Sequence, residues 1–167
     1  MKLSHVDDAG KANMVDVANK SVSQRVATAQ GFVSMNDAAL LAIEEQNNKK
    51  GDVLSVARVA GIMAAKQTAN IIPLCHTLAL SKVSVDFIIG DEHGETRGKP
   101  SGVLVNAMAK CSGQTGVEME ALVAVNVACL TLFDMCKALD PAMVITNVRV
   151  VTKEGGKTNR WQHPLNE

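Results

Sequence analysis

The amino-acid sequence predicts an α+β domain, and three features of its residue pattern support that class. Apolar and polar residues alternate over 78–89, as in a half-buried antiparallel strand. Three further segments contain the β-branched residues of strands: 25–35, 103–107 and 143–152. No helix-breaking residue occurs between Gly116 and Pro141. From residue 25 the predicted order is strand, helices, strand, strand, helix, strand, which predicts a ferredoxin-like fold: a four-stranded antiparallel sheet with helices packed on one face.

Two helices are predicted between the first two of these strands. Asn36 or Ser34 can cap a short helix over 37–46, and Asp52 can cap a second helix over 53–70. The second helix carries apolar residues at helical spacing: Val56, Val59, Ala60 and Met63. The polar segment between the two helices is predicted to be a loop.

Weaker signals mark the two ends of the chain. Val15 and Val17 suggest an additional early strand, and Gly31 is expected to bend or bulge the strand over 25–35. The tail from residue 154 onward reads as irregular. We expect one catalytic domain, 1–167, with flexible termini at about 1–12 and 154–167.

The helix after Gly116 is the most distinctive predicted element. Thr115 and Glu118 have the spacing of a capping box, which places the helix start there. Its interior, 121–133, is apolar almost all round. Such a helix must be covered by a sheet on one side and by other helices or another subunit on the rest.

Composition excludes several classes of partner. Seventeen basic and seventeen acidic residues give a formal net charge of zero, and tyrosine is absent, so neither nucleic acid nor an anionic membrane is an expected partner. We expect neither a signal peptide nor an apolar run that spans a bilayer.

Cysteine usage indicates a reducing, cytoplasmic setting. The four cysteines, Cys75, Cys111, Cys129 and Cys136, form no C-x-x-C pair. Cys129 and Cys136 are seven residues apart on one helical face, and we expect them to be small core residues. His76 beside Cys75 lacks a second pair at metal-site spacing, so no metal site is predicted and a histidine beside a ligand is the favoured interpretation.

The chemistry could lie at the far end of the long helix. Asp134 and Lys137 are three residues apart and share one helical face, either as a surface ion pair or as an acid/base pair. Glu120 lies fourteen residues before Asp134, about 21 Å away along a straight helix. One small site could use both only if the helix began later, with Glu120 in a folded-back loop, or if two chains of a symmetric dimer shared the site.

Scattered basic residues suggest an anionic ligand. Lys50 precedes a helix and is either solvated or a phosphate ligand. Lys153, Lys157 and Arg160 lie in a tail with two glycines that is either mobile or an ordered lid over phosphates. Together with few aromatics, this set indicates a phosphorylated small molecule.

As an ordered series, six stretches resemble the cyclic pyranopterin monophosphate synthase family of molybdenum cofactor biosynthesis. They are MVDVANK, KGDVLSVARVAGIMAAK, IIPLCHTLALSKV, TGVEMEAL, LTLFDMCKALD and MVITNVRVVTKEGGK, and they cover about residues 13–157. The resemblance implies a ferredoxin-like subunit, a homohexamer built as a trimer of dimers, and active sites at the dimer interface. It also implies rearrangement of 3',8-cyclo-7,8-dihydroguanosine 5'-triphosphate to cyclic pyranopterin monophosphate with release of diphosphate.

The same resemblance assigns roles to individual residues. Asp134 and Lys137 would be the central acid/base residues. The implied substrate-binding residues are Lys20, Lys50, Leu74, Cys75, His76, Met119, Glu120, Lys153 and Lys157, with the lysines nearest the triphosphate. No cofactor is required by the sequence, and whether magnesium accompanies the triphosphate is left open.

Two departures from the family pattern and two rival functions complete the expectations. Thr77 stands where the family has proline after His76, which relaxes the backbone there, and the tail after Lys157 reads TNRWQHP where serine and glycine are usual. A non-enzymatic module that binds a phosphorylated ligand is the principal alternative, and an RNA-binding module is a weaker one.

Overall fold

The computed structural model describes residues 5–7, 9–45, 52–96, 101–156 and 160–166. In chain order the elements are β1 (Ser23–Ser34), α1 (Asp37–Glu44), α2 (Val53–Lys66), α3 (Thr68–Ile71), β2 (Leu80–Gly90), β3 (Gly102–Gly113), α4 (Glu118–Cys136), β4 (Val144–Glu154) and β5 (Arg160–Gln162), followed by a 3-10 turn over Pro164–Asn166. The predicted order of strands and helices from residue 25 is confirmed.

The strands form one antiparallel sheet in the order β2-β3-β1-β4-β5. Four of them are the predicted strands, but the prediction of a four-stranded sheet and an irregular tail is wrong at residues 160–162. These residues pair with the outer edge of β4 as a fifth strand. A three-residue strand carries too little alternation to be recognised in sequence, and the pairing edge of β4 makes it form.

Helices α2 and α4 pack side by side on one face of the sheet. The sheet surface beneath α4 consists largely of small residues, including Ala27, Ala29 and Gly31 in β1 and Ala107 and Ala109 in β3. The fully buried residues of α4 are also small or medium-sized, and they include Ala121, Ala124, Val125, Ala128, Cys129 and Leu132. Small residues on both sides allow a close approach of helix and sheet.

Gly31 lies where this approach is tightest. A Cβ atom at this position would come within 2.8 Å of Val125 Cγ1 and 3.1 Å of Val148 Cγ2. The pairing of β1 with β4 shifts register beside Gly31, but the bulge is not in β1, where it was predicted. The extra residue belongs to β4, where Asn147 has a φ of 55°.

The predicted caps of the first two helices are confirmed, and that of α4 is wrong. Asn36 accepts a hydrogen bond from Ala39 N at 2.9 Å, and Asp52 accepts one from Ser55 N at 3.0 Å. At α4, Val117 occupies the N-cap position without a side-chain hydrogen bond. Glu118 does not form a capping box because its carboxylate pairs with Lys153 from β4 instead.

The apolar spacing that predicts α2 marks its exposed face. Val56 is 45% exposed, Val59 55% and Met63 61%. The buried face carries smaller residues: Val53, Ala57, Gly61, Ala64 and Ala65. Gly61 lies against the backbone of α4, where a Cβ would approach Ala124 O to 2.8 Å, so close helix packing selects the small residues.

The early strand predicted at Val15 and Val17 does not form. Residues 13–17 run without strand pairing, although both valines are partly buried. The expectation for cysteines in α4 is confirmed, since Cys129 and Cys136 are fully buried. Burial raises the pKa of the Cys129 thiol to about 12, which keeps it uncharged.

Among the described helices, α4 has the length and mean hydropathy, 1.7, of a membrane-spanning segment, contrary to the expectation from sequence. Of the apolar stretch of α4 that meets these criteria, 56% is buried inside the protein. A central helix packed between a sheet and another helix meets the same criteria, and α4 has those neighbours.

Removal of the Leu132 side chain should test the packing of α4. Leu132 is fully buried, so Leu132→Ala is expected to lower the free energy of unfolding by about 2–5 kcal/mol. Leu41 in α1 is 52% exposed, so Leu41→Ala should lower the free energy of unfolding by less than about 1 kcal/mol. Urea unfolding at one fixed protein concentration measures both, and equal losses would contradict this packing.

Candidate active site

An open cleft of ≈ 890 Å³ lies where the N-terminal segment meets the start of α4. Its lining is polar and rich in glycine: Asn19, Lys20, Ser21, Ser23, Arg25, Gln114, Thr115, Gly116, Gly155 and Gly156. A smaller cavity of ≈ 90 Å³ adjoins it, shares Arg25, Gly116 and Gly155, and adds Glu118 and Lys153. The two adjoining cavities together are termed the cleft.

Arg25, at the start of β1, lines the wall of the cleft, where backbone carbonyls hold its guanidinium. Its Nε donates to Gly113 O at 3.3 Å and its Nη2 donates to Gln114 O at 3.3 Å. The glycine pair Gly155–Gly156 closes over the guanidinium, and both glycines have positive φ angles of 95° and 78°. The guanidinium is therefore a fixed positive charge at the cleft wall.

Gln114 connects the cleft to the N-terminal segment. Its side-chain amide donates to Ala18 O at 3.1 Å and to Lys20 O at 3.0 Å. These two bonds fix the backbone beside Lys20, so that its ammonium group reaches the cleft from a defined point. The predicted substrate residue Lys20 is thus brought into the site, although its side chain is exposed.

His76 contacts the same N-terminal segment a few residues earlier, at Val15. Its Nε2 lies 2.8 Å from Val15 O. Because a carbonyl oxygen only accepts, Nε2 carries the proton in this bond. Val15 and Val17 are partly buried, and so are Leu74 and Cys75 of the loop at 72–79, two of the predicted substrate-binding residues.

Glu118 and Lys153 join the start of α4 to β4. Lys153 Nζ lies 3.2 Å from Glu118 Oε1, and the side chains are 41% and 29% exposed. The Glu118 carboxylate folds back over Gly116. The predicted substrate residue Lys153 is therefore at the cleft, with Glu118 as a counter-charge that sequence assigned to a cap.

Glu120 is a buried carboxyl in the first turn of α4, only 4% exposed. Burial raises the pKa of Glu120, and the negative charge of Glu118 adds to that rise. Glu120 in turn lies near Cys75 and Cys111: burial raises the pKa of each thiol, and the Glu120 charge raises it further. This end of α4 therefore combines a carboxyl that resists ionisation with nearby cations.

Asp134 and Lys137 form the second polar group, at the opposite end of α4. Lys137 Nζ donates to Asp134 Oδ1 at 2.7 Å, and the side chains are 54% and 62% exposed. Leu130, one turn earlier on the same helical face, is 57% exposed. An apolar side chain and an ion pair thus share an open face of the helix.

Within one chain the structure does not bring the two polar groups together. Glu120 and Asp134 both lie inside the continuous helix α4, about 21 Å apart along its axis. The alternative of a folded-back loop at Glu120 is wrong, because Glu120 has helical backbone. Lys50 and Lys157, predicted to bind substrate, lie outside the described residues, and Met119 is partly buried beside Glu120.

Sequence reasoning missed Arg25 and Gln114. A single arginine at the start of an otherwise uncharged strand was the available signal for Arg25. Gln114 gave none, since its role depends on carbonyls of a segment that is distant in sequence. Within the part of the chain that the structure describes, no group of three His, Cys, Asp or Glu could hold a metal ion.

The fold and the cleft define an α+β protein with a polar, glycine-rich cleft, lined by Lys20 and Arg25, at the start of its central helix. Comparison with known proteins identifies the family. Residues 14–156 match the model of the MoaC family, and the chain therefore belongs to this family. The match includes the segments that carry Lys20, Glu120, Asp134, Lys137 and Lys153.

Curated relatives cover almost the whole chain. The chain is 53% identical to "Cyclic pyranopterin monophosphate synthase" of Chloroflexus aggregans over 161 residues, which is 96% of this chain and 93% of that protein. It is 52% identical to the protein of the same name from Parvibaculum lavamentivorans, over 96% of each chain. The protein of that name from Cereibacter sphaeroides is 51% identical over 162 residues, 96% of each chain.

The raised pKa of Glu120 predicts a pH-dependent effect of Glu120→Gln on stability. The folded state holds this proton more tightly than the unfolded chain, so stability is lost as pH rises from the unfolded pKa towards the folded one. The neutral variant should therefore have a higher Tm than wild type at about pH 8 and no such gain at about pH 4.

Thermal unfolding at the two pH values measures this difference. Glu44→Gln, an exposed carboxyl in α1, serves as the matched control and should not change with pH in this way. A Glu120→Gln gain of the same size at both pH values would show that burial of the charge is not its cause.

Proposed function

We propose that this protein is a cyclic pyranopterin monophosphate synthase, which rearranges 3',8-cyclo-7,8-dihydroguanosine 5'-triphosphate to cyclic pyranopterin monophosphate and releases diphosphate. The observation that carries the proposal is the agreement between the family match over residues 14–156 and the charged groups at the two ends of α4. The relatives with this printed name match nearly full length.

The cleft suits a triphosphate. Arg25 supplies a fixed guanidinium, Lys20 approaches from the pinned N-terminal segment, and Lys153 approaches from β4. The Lys153 ammonium pairs with the Glu118 carboxylate, which lines the same smaller cavity. As a ribose hydroxyl attacks the α-phosphorus and the bond to diphosphate breaks, these cations stabilise the charge that develops on the departing oxygens. Lys50 and Lys157 would extend the same set.

Asp134 and Lys137 supply the proton transfers. Opening of the purine ring and closure of the pterin ring both require protons to be removed and returned, and a carboxylate hydrogen-bonded to an ammonium at 2.7 Å can do both. Glu120, Met119, Leu74, Cys75 and His76 would enclose the base and ribose.

The complete site is divided between two chains. A substrate cannot touch Glu120 and Asp134 of the same straight helix, because they are about 21 Å apart. A symmetric dimer brings the start of one α4 to the end of another. The exposed apolar residues Leu130, beside Asp134, and Val56, Val59 and Met63 on α2 support coverage by further copies of the chain.

The quaternary and fold assignments extend this proposal. We place the chain in a homohexamer built as a trimer of dimers, located in the cytoplasm, with no nucleic acid or membrane partner. The strand order β2-β3-β1-β4, with β5 added at the edge, supports a ferredoxin-like fold.

Loss of either acid/base residue should abolish turnover. Asp134→Asn and Lys137→Ala are each expected to lower diphosphate release from the cyclic triphosphate by roughly 100-fold or more. The exposed position of the pair means that folding should be little affected, which thermal unfolding checks. Asp86→Asn, an exposed carboxylate on β2 away from α4, is the matched control and should keep full activity.

Two other outcomes of this assay have defined meanings. Undiminished turnover by the Asp134 and Lys137 variants would contradict their role. Saturable nucleotide binding by wild-type protein without diphosphate release would replace the enzyme by a binding module.

Mixing two inactive variants should restore part of the activity if the site is shared. Glu120→Gln damages one end of α4 and Lys137→Ala the other, so a mixed dimer contains one intact site and one doubly altered site. Random pairing after co-refolding gives about half mixed dimers, hence about a quarter of the wild-type activity. A mixture as inactive as its components would place both ends of the site in one chain.

A further inference from the structure

The short strand β5 carries the only tryptophan of the chain, directly across from a lysine of the cleft. In the antiparallel pairing of β4 with β5, Lys153 lies opposite Trp161. Side chains of directly opposed residues project to the same face, with Cβ atoms about 4.5–5.5 Å apart. Lys153 reaches Glu118 of α4, so this face is the one that carries the helices and the cleft.

The register places Lys153 between two neighbours on the sheet. Ala27 of β1 lies opposite Lys153 on one side, and Trp161 lies opposite it on the other. Ala27 is small and fully buried, whereas the indole of Trp161 is large and partly buried. The register therefore places the indole on the side of the lysine side chain that faces away from Ala27.

The indole is itself held in place by His163. The two rings meet edge to face, with centroids 5.9 Å apart and an interplanar angle of 82°. His163 is anchored through its backbone, where His163 N donates to Val151 O at 2.8 Å. Its ring Nδ1 also accepts from Leu165 N at 3.2 Å.

The ion pair with Glu118 cannot provide this restraint alone. Both partners are partly exposed, and such pairs restrain side chains weakly. A lysine has many rotamers, and ordering them on ligand binding reduces affinity. An aromatic wall that removes the outward rotamers in the free protein lowers that cost.

We propose that Trp161 is a positioning residue for Lys153, holding the lysine side chain towards the cleft before the phosphates of the ligand bind. Trp161 acts through Lys153 and does not touch the reacting atoms. The inference rests on the proposed function only in naming the phosphate chain as the group that Lys153 binds.

The kinetic test compares Trp161→Ala and Trp161→Phe with wild type. Trp161→Ala should raise KM for the cyclic triphosphate by roughly five- to ten-fold, with kcat within about two-fold, because lost ordering weakens binding in ground and transition states alike. Trp161→Phe retains an aromatic wall and should restore most of the loss. Leu165→Ala, 75% exposed at the end of the tail, is the matched control and should behave as wild type.

A double-mutant cycle separates positioning from a general effect on structure. If Trp161 acts through Lys153, adding Trp161→Ala to Lys153→Ala should raise KM no further. Full multiplication of the two single effects would overturn the proposal, as would a wild-type KM for Trp161→Ala. A drop in kcat equal to the drop in kcat/KM for Trp161→Ala and Trp161→Phe alike would also overturn it.

Calorimetric binding of inorganic diphosphate keeps this test independent of turnover. Wild-type protein should bind diphosphate more tightly than Lys153→Ala, Trp161→Ala should weaken binding by the same factor as it raises KM, and the double variant should match Lys153→Ala. If wild type fails to release diphosphate from the cyclic triphosphate, the proposed function fails, while this cycle still decides the role of Trp161. Equal diphosphate affinity in wild type and Trp161→Ala would overturn the inference.

Discussion

The close contact between α4 and the small residues of the sheet is the constraint on which the rest of the structure depends. Ala27, Ala29 and Gly31 of β1 leave room for the buried side of α4, and Val125 and Cys129 lie directly over Gly31. Because packing at this density tolerates little displacement, the helix has one position on the sheet. That position fixes where its first and last turns stand, and with them the charged residues at both ends.

The two ends of α4 use opposite environments for their ionisable groups. At the start, Glu120 is buried, and burial raises the pKa of its carboxyl, while cations line the adjoining cleft. At the end, Asp134 and Lys137 form an ion pair on an open face. Burial of the Glu120 carboxyl costs folding free energy, so stability alone does not explain why this residue is there. The ion pair at the end gains a shielded setting only when another chain covers it.

Sequence predicted the elements that rest on local pattern and missed those that rest on distant partners. The strand order and the caps at Asn36 and Asp52 follow from alternation and short-range hydrogen bonding. The capping box failed because Lys153, far along the chain, offers Glu118 a stronger partner. In α2, helical spacing identified the helix, but tight packing buries its small residues and leaves the large ones outside.

The same division applies to the site. The resemblance of whole motifs predicted Lys20, Glu120 and Lys153 as site residues. In the structure they lie around one end of α4. Sequence did not predict Arg25 and Gln114, because their contribution to the cleft depends on hydrogen bonds to backbone carbonyls. A carbonyl has no sequence identity, so such partners become visible only when the chain is folded.

The unbroken course of α4 also makes it a spacer of fixed length and phase. Each residue of a helix adds about 1.5 Å and about 100° of rotation. One inserted residue between Glu120 and Asp134 would turn the far ion pair about a quarter of the way around the axis and detach it from its face. The loop at 91–96 can change length without such a penalty, so evolutionary variation in chain length should collect there and avoid the interior of α4.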